Sequence, residues 1–282
     1  MKIISSLSCT QYGQLGHPES PERVKESHAY LKSKGYEIVE PQPATEKDIL
    51  LVHTQQLFDQ VKTGSFSDAD TPFFEDIIDH ALLSAGAAIQ AAEISLAGDF
   101  GFSLMRPPGH HATQDTLGGF CYFNNIAIAS KKILPKAKRI AILDIDVHHG
   151  NGTQDFVKGE KDILFVSLHQ SPLYPGSGLQ SEQNCLNFPL TPGTTEERYL
   201  EIIQEALNSI TQFKPDIIGM SCGFDTFADD PLANIELGIE SYKKIGQTVL
   251  ALKIPVFEVL EGGYSQSLPQ CIESFLMGLT NT

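Results

Sequence analysis

Residues 139–153 read RIAILDIDVHHGNGT, and the change of character at Asp144 decides the fold. Ile140, Ala141, Ile142 and Leu143 form a continuously apolar, β-prone run, as expected of a strand covered on both faces. Polar residues and glycines then follow at once. Working outward, similar runs recur at residues 2–7, 100–105, 163–168, 216–222 and 256–260. Helical patterns separate most of them, among them 74–96, 235–252 and 195–211, the last opened by a Thr-x-Glu-Glu run suited to an N-terminal turn. Strand and helix in alternation predict an α/β fold with an open, mostly parallel central sheet and helices on both faces. Residues 41–43 and 170–194 read as loops, the second long enough to suggest a functional surface. No repeat, low-complexity segment or linker divides the chain, so residues 1–282 are expected to form a single domain.

Composition narrows the function classes. Apolar residues make up 41% of the 282, without a run long enough to span a bilayer, so a soluble protein with no membrane partner is expected. Residues 1–9 are too short and serine-rich for a secretory signal. A formal charge of −15 would repel a phosphate backbone, which argues against direct nucleic-acid binding. The same acidity suits a cationic substrate, and equally suits mere solubility. Five scattered cysteines, Cys9, Cys121, Cys185, Cys222 and Cys271, form no CxxC pair, pointing to a reducing, cytoplasmic setting.

The unusual polar residues sit where strands end. In an open parallel sheet, ligands collect beyond the carboxyl ends of the strands. Four expected strands run directly into RPPGHHA (106–112), DIDVHHGNGT (144–153), SCGFDTFADD (221–230) and LEGGY (260–264). In an extended chain Asp144, Asp146 and His148 project to one side and Ile145 and Val147 to the other. Carboxylate and imidazole together suit zinc or another divalent transition metal, and a catalytic site needs three protein ligands with one position open. Asp225 is the expected third ligand, since it follows a strand and, if buried, needs a partner. Asp229 and Asp230 are rivals, but before Pro231 they read as solvent-facing loop residues. His110 and His111, on a loop stiffened by prolines, could serve as general base and electrostatic partner or be surface or metal-bound histidines. Tyr264, after two glycines, could donate a hydrogen bond to an oxyanion.

These segments, joined by HPESPERV (17–24), DTPFFED (70–76), GGFCYFNN (118–125) and SLHQSPLYPGSG (167–178), resemble in order the histone deacetylase and acetylpolyamine amidohydrolase family over nearly the whole chain. The resemblance implies the arginase/deacetylase-like α/β fold and a deacetylase that releases a short acyl group from an amine. It implies one zinc ion held by Asp146, His148 and Asp225, polarising the acyl carbonyl and acidifying a bound water. His111 would be the general base, His110 its electrostatic partner or proton donor, and Tyr264 the oxyanion donor. Asp144 would orient His110 and, with Ser167, belong to a structural potassium site; Asn151 stands where some members carry Asp, which places the chain near the class II branch. Gly119 and Phe120 match one wall of an acyl-lysine tunnel, Tyr174 the opposite wall, Asp70 a rim carboxylate and Arg23 an arginine near an internal product channel. Leu232 stands seven residues after Asp225, where polyamine-preferring eukaryotic members are expected to carry Glu. Together with a chain too short for a long dimerising insertion, this favours an acylated lysine over an acylated polyamine or other small amine. An ester or small-metabolite hydrolase and a slow acyl-ligand-binding module are the alternatives, and a monomer or small homo-oligomer is expected.

Overall fold

The computed structural model describes residues 1–280. In chain order its strands are β1 (Lys2–Ile4), β2 (Glu37–Val39), β3 (Gly101–Ser103), β4 (Ile140–Asp144), β5 (Ile163–Gln170), β6 (Cys185–Leu190), β7 (Thr194–Thr195), β8 (Ile217–Cys222), β9 (Ile235–Glu236) and β10 (Val256–Leu260). Its α-helices are α1 (Pro21–Ser33), α2 (Glu46–Ile49), α3 (Gln55–Thr63), α4 (Ile77–Leu96), α5 (Asn125–Ala137), α6 (Asn151–Val157), α7 (Glu196–Phe213), α8 (Ile239–Leu250) and α9 (Leu268–Thr280). Eight strands form one sheet in the order β2-β1-β3-β10-β8-β4-β5-β6, and every neighbouring pair is parallel. The expected parallel α/β architecture is therefore the one observed.

The apolar runs behave as their composition dictates. Every residue of β4, β5, β8 and β10 is buried, which requires cover on both faces. One apolar cluster extends from Ile3 to Leu279. Helix starts carry the expected caps: the Thr195 hydroxyl accepts from the Arg198 N–H, and the Asn124 side chain from that of Ala127.

Departures from the expected boundaries have local causes. The first strand stops at Ile4, because Ser6 caps a 3-10 turn at Leu7–Thr10. The last part of the loop expected at 170–194 is strand β6, whose Pro189 lowers its strand signal but is tolerated because β6 is a sheet edge. Helix α8 begins at Ile239, since Ile235–Glu236 pair instead with Thr194–Thr195 and Gly238 opens the helix.

A buried carboxyl group on β10 lacks a partner. Glu258, midway along β10, is fully buried, and neither carboxyl oxygen has a hydrogen-bond partner among the described residues. Burial pushes its carboxyl well above the ordinary value, so the folded chain holds it protonated. The native state then binds one more proton than the unfolded state, and stability falls as pH rises above the unfolded glutamate pKa of about 4.3. Glu258→Met should raise the urea midpoint at pH 7, a gain of about 1–3 kcal/mol that shrinks toward pH 4. A gain independent of pH would refute this account.

Candidate active site

Strands β3, β10, β8, β4 and β5 are consecutive and parallel, so their carboxyl ends share one edge. The four polar segments leave from the first four of these ends. Asp146, His148 and Asp225 are buried there, with one ligand atom from each lying within 4.8 Å of the others. His148 Nδ1 lies 3.0 Å from Asp146 Oδ1 and 3.1 Å from Asp225 Oδ2. Backbone N–H groups orient the remaining oxygens: Gly262 donates to Asp146 Oδ2 at 2.7 Å and Val147 to Asp225 Oδ1 at 2.9 Å. Glycine at 262 is required by space, because a Cβ there would stand 2.2 Å from Asp225 Oδ2.

The donor set fits a divalent ion. Burial, then the Asp146 charge, pushes Asp225 up to about 7, while burial opposes and Asp146 and Asp225 overcome it to push His148 up to about 10. Asp146, His148 and Asp225 thus draw a proton into their centre, the place that a divalent cation would take in its stead.

The paired histidines are held differently. His110 Nδ1 donates to Asp144 Oδ2 at 3.0 Å. Burial opposes a charge on His110, but Asp146 and Asp144 raise it to about 10. His111 Nδ1 donates to the Asn151 side-chain oxygen at 2.8 Å, which leaves Nε2 with its lone pair. Burial, reinforced by the charges of His110 and His148, holds His111 well below the ordinary histidine value, and it stays neutral. Here Asn151 orients without adding negative charge. Asn151→Asp should raise the proton affinity of His111 and move the acid limb of the pH–rate profile upward by about one unit or more. An unmoved limb in that variant would remove His111 from the role of base.

A cavity of about 350 Å³ opens above these groups, bordered by Phe120, Tyr174, Leu232 and Tyr264. The Phe120 and Tyr264 rings meet edge to face at 5.9 Å, as do those of His111 and Tyr174 at 5.0 Å. Phe120 has φ +70, an unusual value for a bulky residue, and its N–H is anchored on the Thr71 hydroxyl. At Gly119 a Cβ would lie 2.6 Å from the His111 ring. Asp70 is exposed at the mouth, its carbonyl accepting from His17 Nε2. Arg23 lies behind Tyr264: its guanidinium is 4.8 Å from the phenol ring centroid, and it donates to the Gly263 and Glu261 carbonyls and to Glu19. Ser167 pairs in register with Asp144, and its hydroxyl meets His169 Nδ1 at 2.9 Å. Tyr174 is half-exposed on the loop between β5 and β6.

One expectation is corrected. Asp230 is only 5% exposed, because its carboxylate turns inward to accept the N–H groups of Leu232 and Tyr264, whereas Asp229 is exposed. Sequence reasoning also passed over Glu261, which is fully buried and accepts from the N–H groups of Gly109 and His110, fixing the histidine loop. A charged residue directly after an apolar strand is the signal that could have found it. All five cysteines are buried and unpaired, and no described helix is long and apolar enough to cross a membrane.

An open parallel sheet carrying a buried carboxylate–imidazole–carboxylate cluster beside two histidines and a phenol defines a metal-site hydrolase. Residues 17–279 match the histone deacetylase domain, and the chain belongs to that family of amide hydrolases. It is 38% identical over 275 residues to a probable deacetylase of Archaeoglobus fulgidus, covering 88% of this chain and 77% of that one. A histone deacetylase-like amidohydrolase of Pseudomonas aeruginosa is 36% identical over 285 residues, covering 91% and 75%. The crystal structure of an acetylpolyamine aminohydrolase from Burkholderia pseudomallei superposes with a TM-score of 0.88 at 27% identity, covering 99% of this chain and 98% of that one.

Proposed function

We propose that residues 1–282 act as one catalytic domain, a zinc-dependent deacetylase that hydrolyses the amide of an acetylated or short-chain acylated lysine side chain. The observation that carries this reading is the buried cluster of Asp146, His148 and Asp225, whose His148 lines a cavity together with His110, His111 and Tyr264. Asp146, His148 and Asp225 would hold the zinc, which when bound supplies Lewis acidity toward the acyl carbonyl and the attacking water. His111 Nε2 takes the water proton, because Asn151 fixes the Nδ1–H tautomer. His110, whose protonated form Asp144 favours through the bond to Nδ1, balances the charge that develops and is positioned to return a proton to the leaving amine. Tyr264 donates its phenol hydrogen to the oxyanion. Burial pushes that phenol well above its ordinary value, so it remains a donor through the alkaline range.

Phe120, Gly119 and Tyr174 form the walls that receive the alkyl stem, Asp70 takes substrate amides at the rim, and Arg23 borders the route of the released acid. A structural potassium ion near Asp144 and Ser167 completes the proposal, supported by the adjacency of those residues on β4 and β5.

An acylated polyamine is the second reading, favoured by the match to the acetylpolyamine aminohydrolase and by the carboxylate of Asp70 at the mouth. Chain length does not separate the two, since the superposition covers 98% of that enzyme. Leu232 in the cavity wall favours lysine, because it offers no charge to a distal amine. The test is a panel of acetyl-lysine peptides, longer acyl-lysine peptides and acetylated polyamines, assayed with and without chelator. Chelator-sensitive turnover led by the peptides supports the reading; preference for polyamines would move the assignment to them, and chelator-resistant turnover would end the metal mechanism.

A further inference from the structure

Leu232 and Tyr264 approach the cavity from different strands, one on the segment after β8 and the other on the segment after β10. Neither lies in a helix or strand, and the backbone bonds that join the two segments, Glu261 N–H to Cys222 and Phe224 N–H to Gly262, stop short of both residues. A single buried side chain joins them: Asp230 accepts the Tyr264 N–H on Oδ2 at 2.7 Å and the Leu232 N–H on Oδ1 at 3.0 Å. The Asp230 N–H is itself tied to the Phe227 carbonyl at 2.9 Å, so the carboxylate is mounted on the turn that follows Asp225.

We propose that Asp230 is a positioning residue that holds the oxyanion-binding phenol and the Leu232 wall of the acyl pocket in one fixed relation, so that turnover and acyl-chain selection are set by the same carboxylate. The inference rests on the deacylase reading given above. Its chemical basis is the acceptor count. A carboxylate presents two acceptors and no donor, whereas the near-isosteric amide presents one acceptor and turns an NH₂ group against the second N–H. Asparagine can therefore hold Tyr264 or Leu232, but not both. Because Tyr264 acts through the direction of its hydroxyl, a backbone shift of a fraction of an ångström at residue 264 reaches the reacting carbonyl, while a shift at 232 changes the room beside the acyl group.

The test compares wild-type and Asp230→Asn holoenzyme in three measurements. Amide hydrogen exchange, read without substrate, should show at least one of the Leu232 and Tyr264 amides exchanging about tenfold faster or more, as expected of a lost acceptor. With acetyl-lysine peptide kcat should fall about 10- to 100-fold with KM little changed. The ratio of kcat/KM for butyryl- over acetyl-lysine peptide should shift by about threefold or more. In a Tyr264→Phe background the same substitution should lose most of its effect on kcat, because both changes act on one hydrogen bond. Unchanged exchange at both amides, an additive loss of kcat in the Tyr264→Phe background, or an unmoved acyl ratio would each overturn the proposal. Should Asp230→Asn not fold, Asp230→Glu, which keeps both acceptors but displaces them by one methylene, is read by kcat and by the acyl ratio, and an unchanged value of either would overturn the proposal. Wild-type enzyme inert toward both peptides would sink the substrate reading, while the exchange measurement would still decide whether Asp230 holds the two segments.

Discussion

Replacing Tyr264 by Phe should lower kcat about 10²- to 10³-fold, the usual effect of deleting one oxyanion donor from a preorganised site. KM and bound metal should change little. The ring is held by contacts that Phe keeps: the edge of Phe120, the overlying Arg23 guanidinium and the backbone bond to Asp230. Only the hydroxyl is lost, and it is not one of the three clustered donor atoms. Steady-state kinetics with a metal determination on the same sample make the comparison. Activity within a few-fold of wild type would remove Tyr264 from the mechanism and leave the oxyanion without an assigned donor.

Asp146→Ala should abolish both metal binding and turnover. Outer-shell partners of a bound metal cost about 10- to 100-fold in affinity when removed, and a direct ligand should cost more. Asp146 is the most heavily used group of the cluster: Oδ1 accepts from the His148 N–H and meets its Nδ1, and Oδ2 accepts from Gly262. Burial opposes ionisation of Asp146, but His110 and His148 hold it well below the usual carboxylate range, so it carries a full negative charge. Its loss leaves two protein ligands and a buried imidazolium without one of its counterions. Asp146→Asn, which can still accept from Gly262, serves as the control for folding. Metal at one equivalent and wild-type turnover in the alanine variant would refute the ligand assignment.

Much of this was legible before any coordinates, for identifiable reasons. Continuous apolar runs announced the buried parallel strands, and abrupt polarity at their ends announced the edge where the chemistry gathers. Asp146 and His148 stood out because two residue types with metal affinity occupied alternate positions after such a run. Strand order was not legible. β10 lies between β3 and β8, and β3 is remote from it in sequence, a pairing that the apolar run at 256–260 does not itself announce. Strand β6 escaped notice because edge strands tolerate proline and alternate in burial, which weakens the signal that marked the central strands. Asp230 was misread for a different reason. Aspartate before proline commonly begins a turn at the surface, and only the three-dimensional return of β10 supplies the second N–H that draws its carboxylate inward.

The central place of β10 has a consequence for how the sheet is completed. It is the last strand of the large sheet in chain order; its neighbour β8 precedes it directly, whereas its other neighbour β3 comes before β4, β5, β6 and β8. Until β10 pairs, β3 and β8 each present an open edge, and the glycine-rich turn that carries the phenol has nowhere to dock. A chain in which β10 has not docked therefore leaves two unpaired strand edges, so the large sheet becomes continuous only when β10 takes its place.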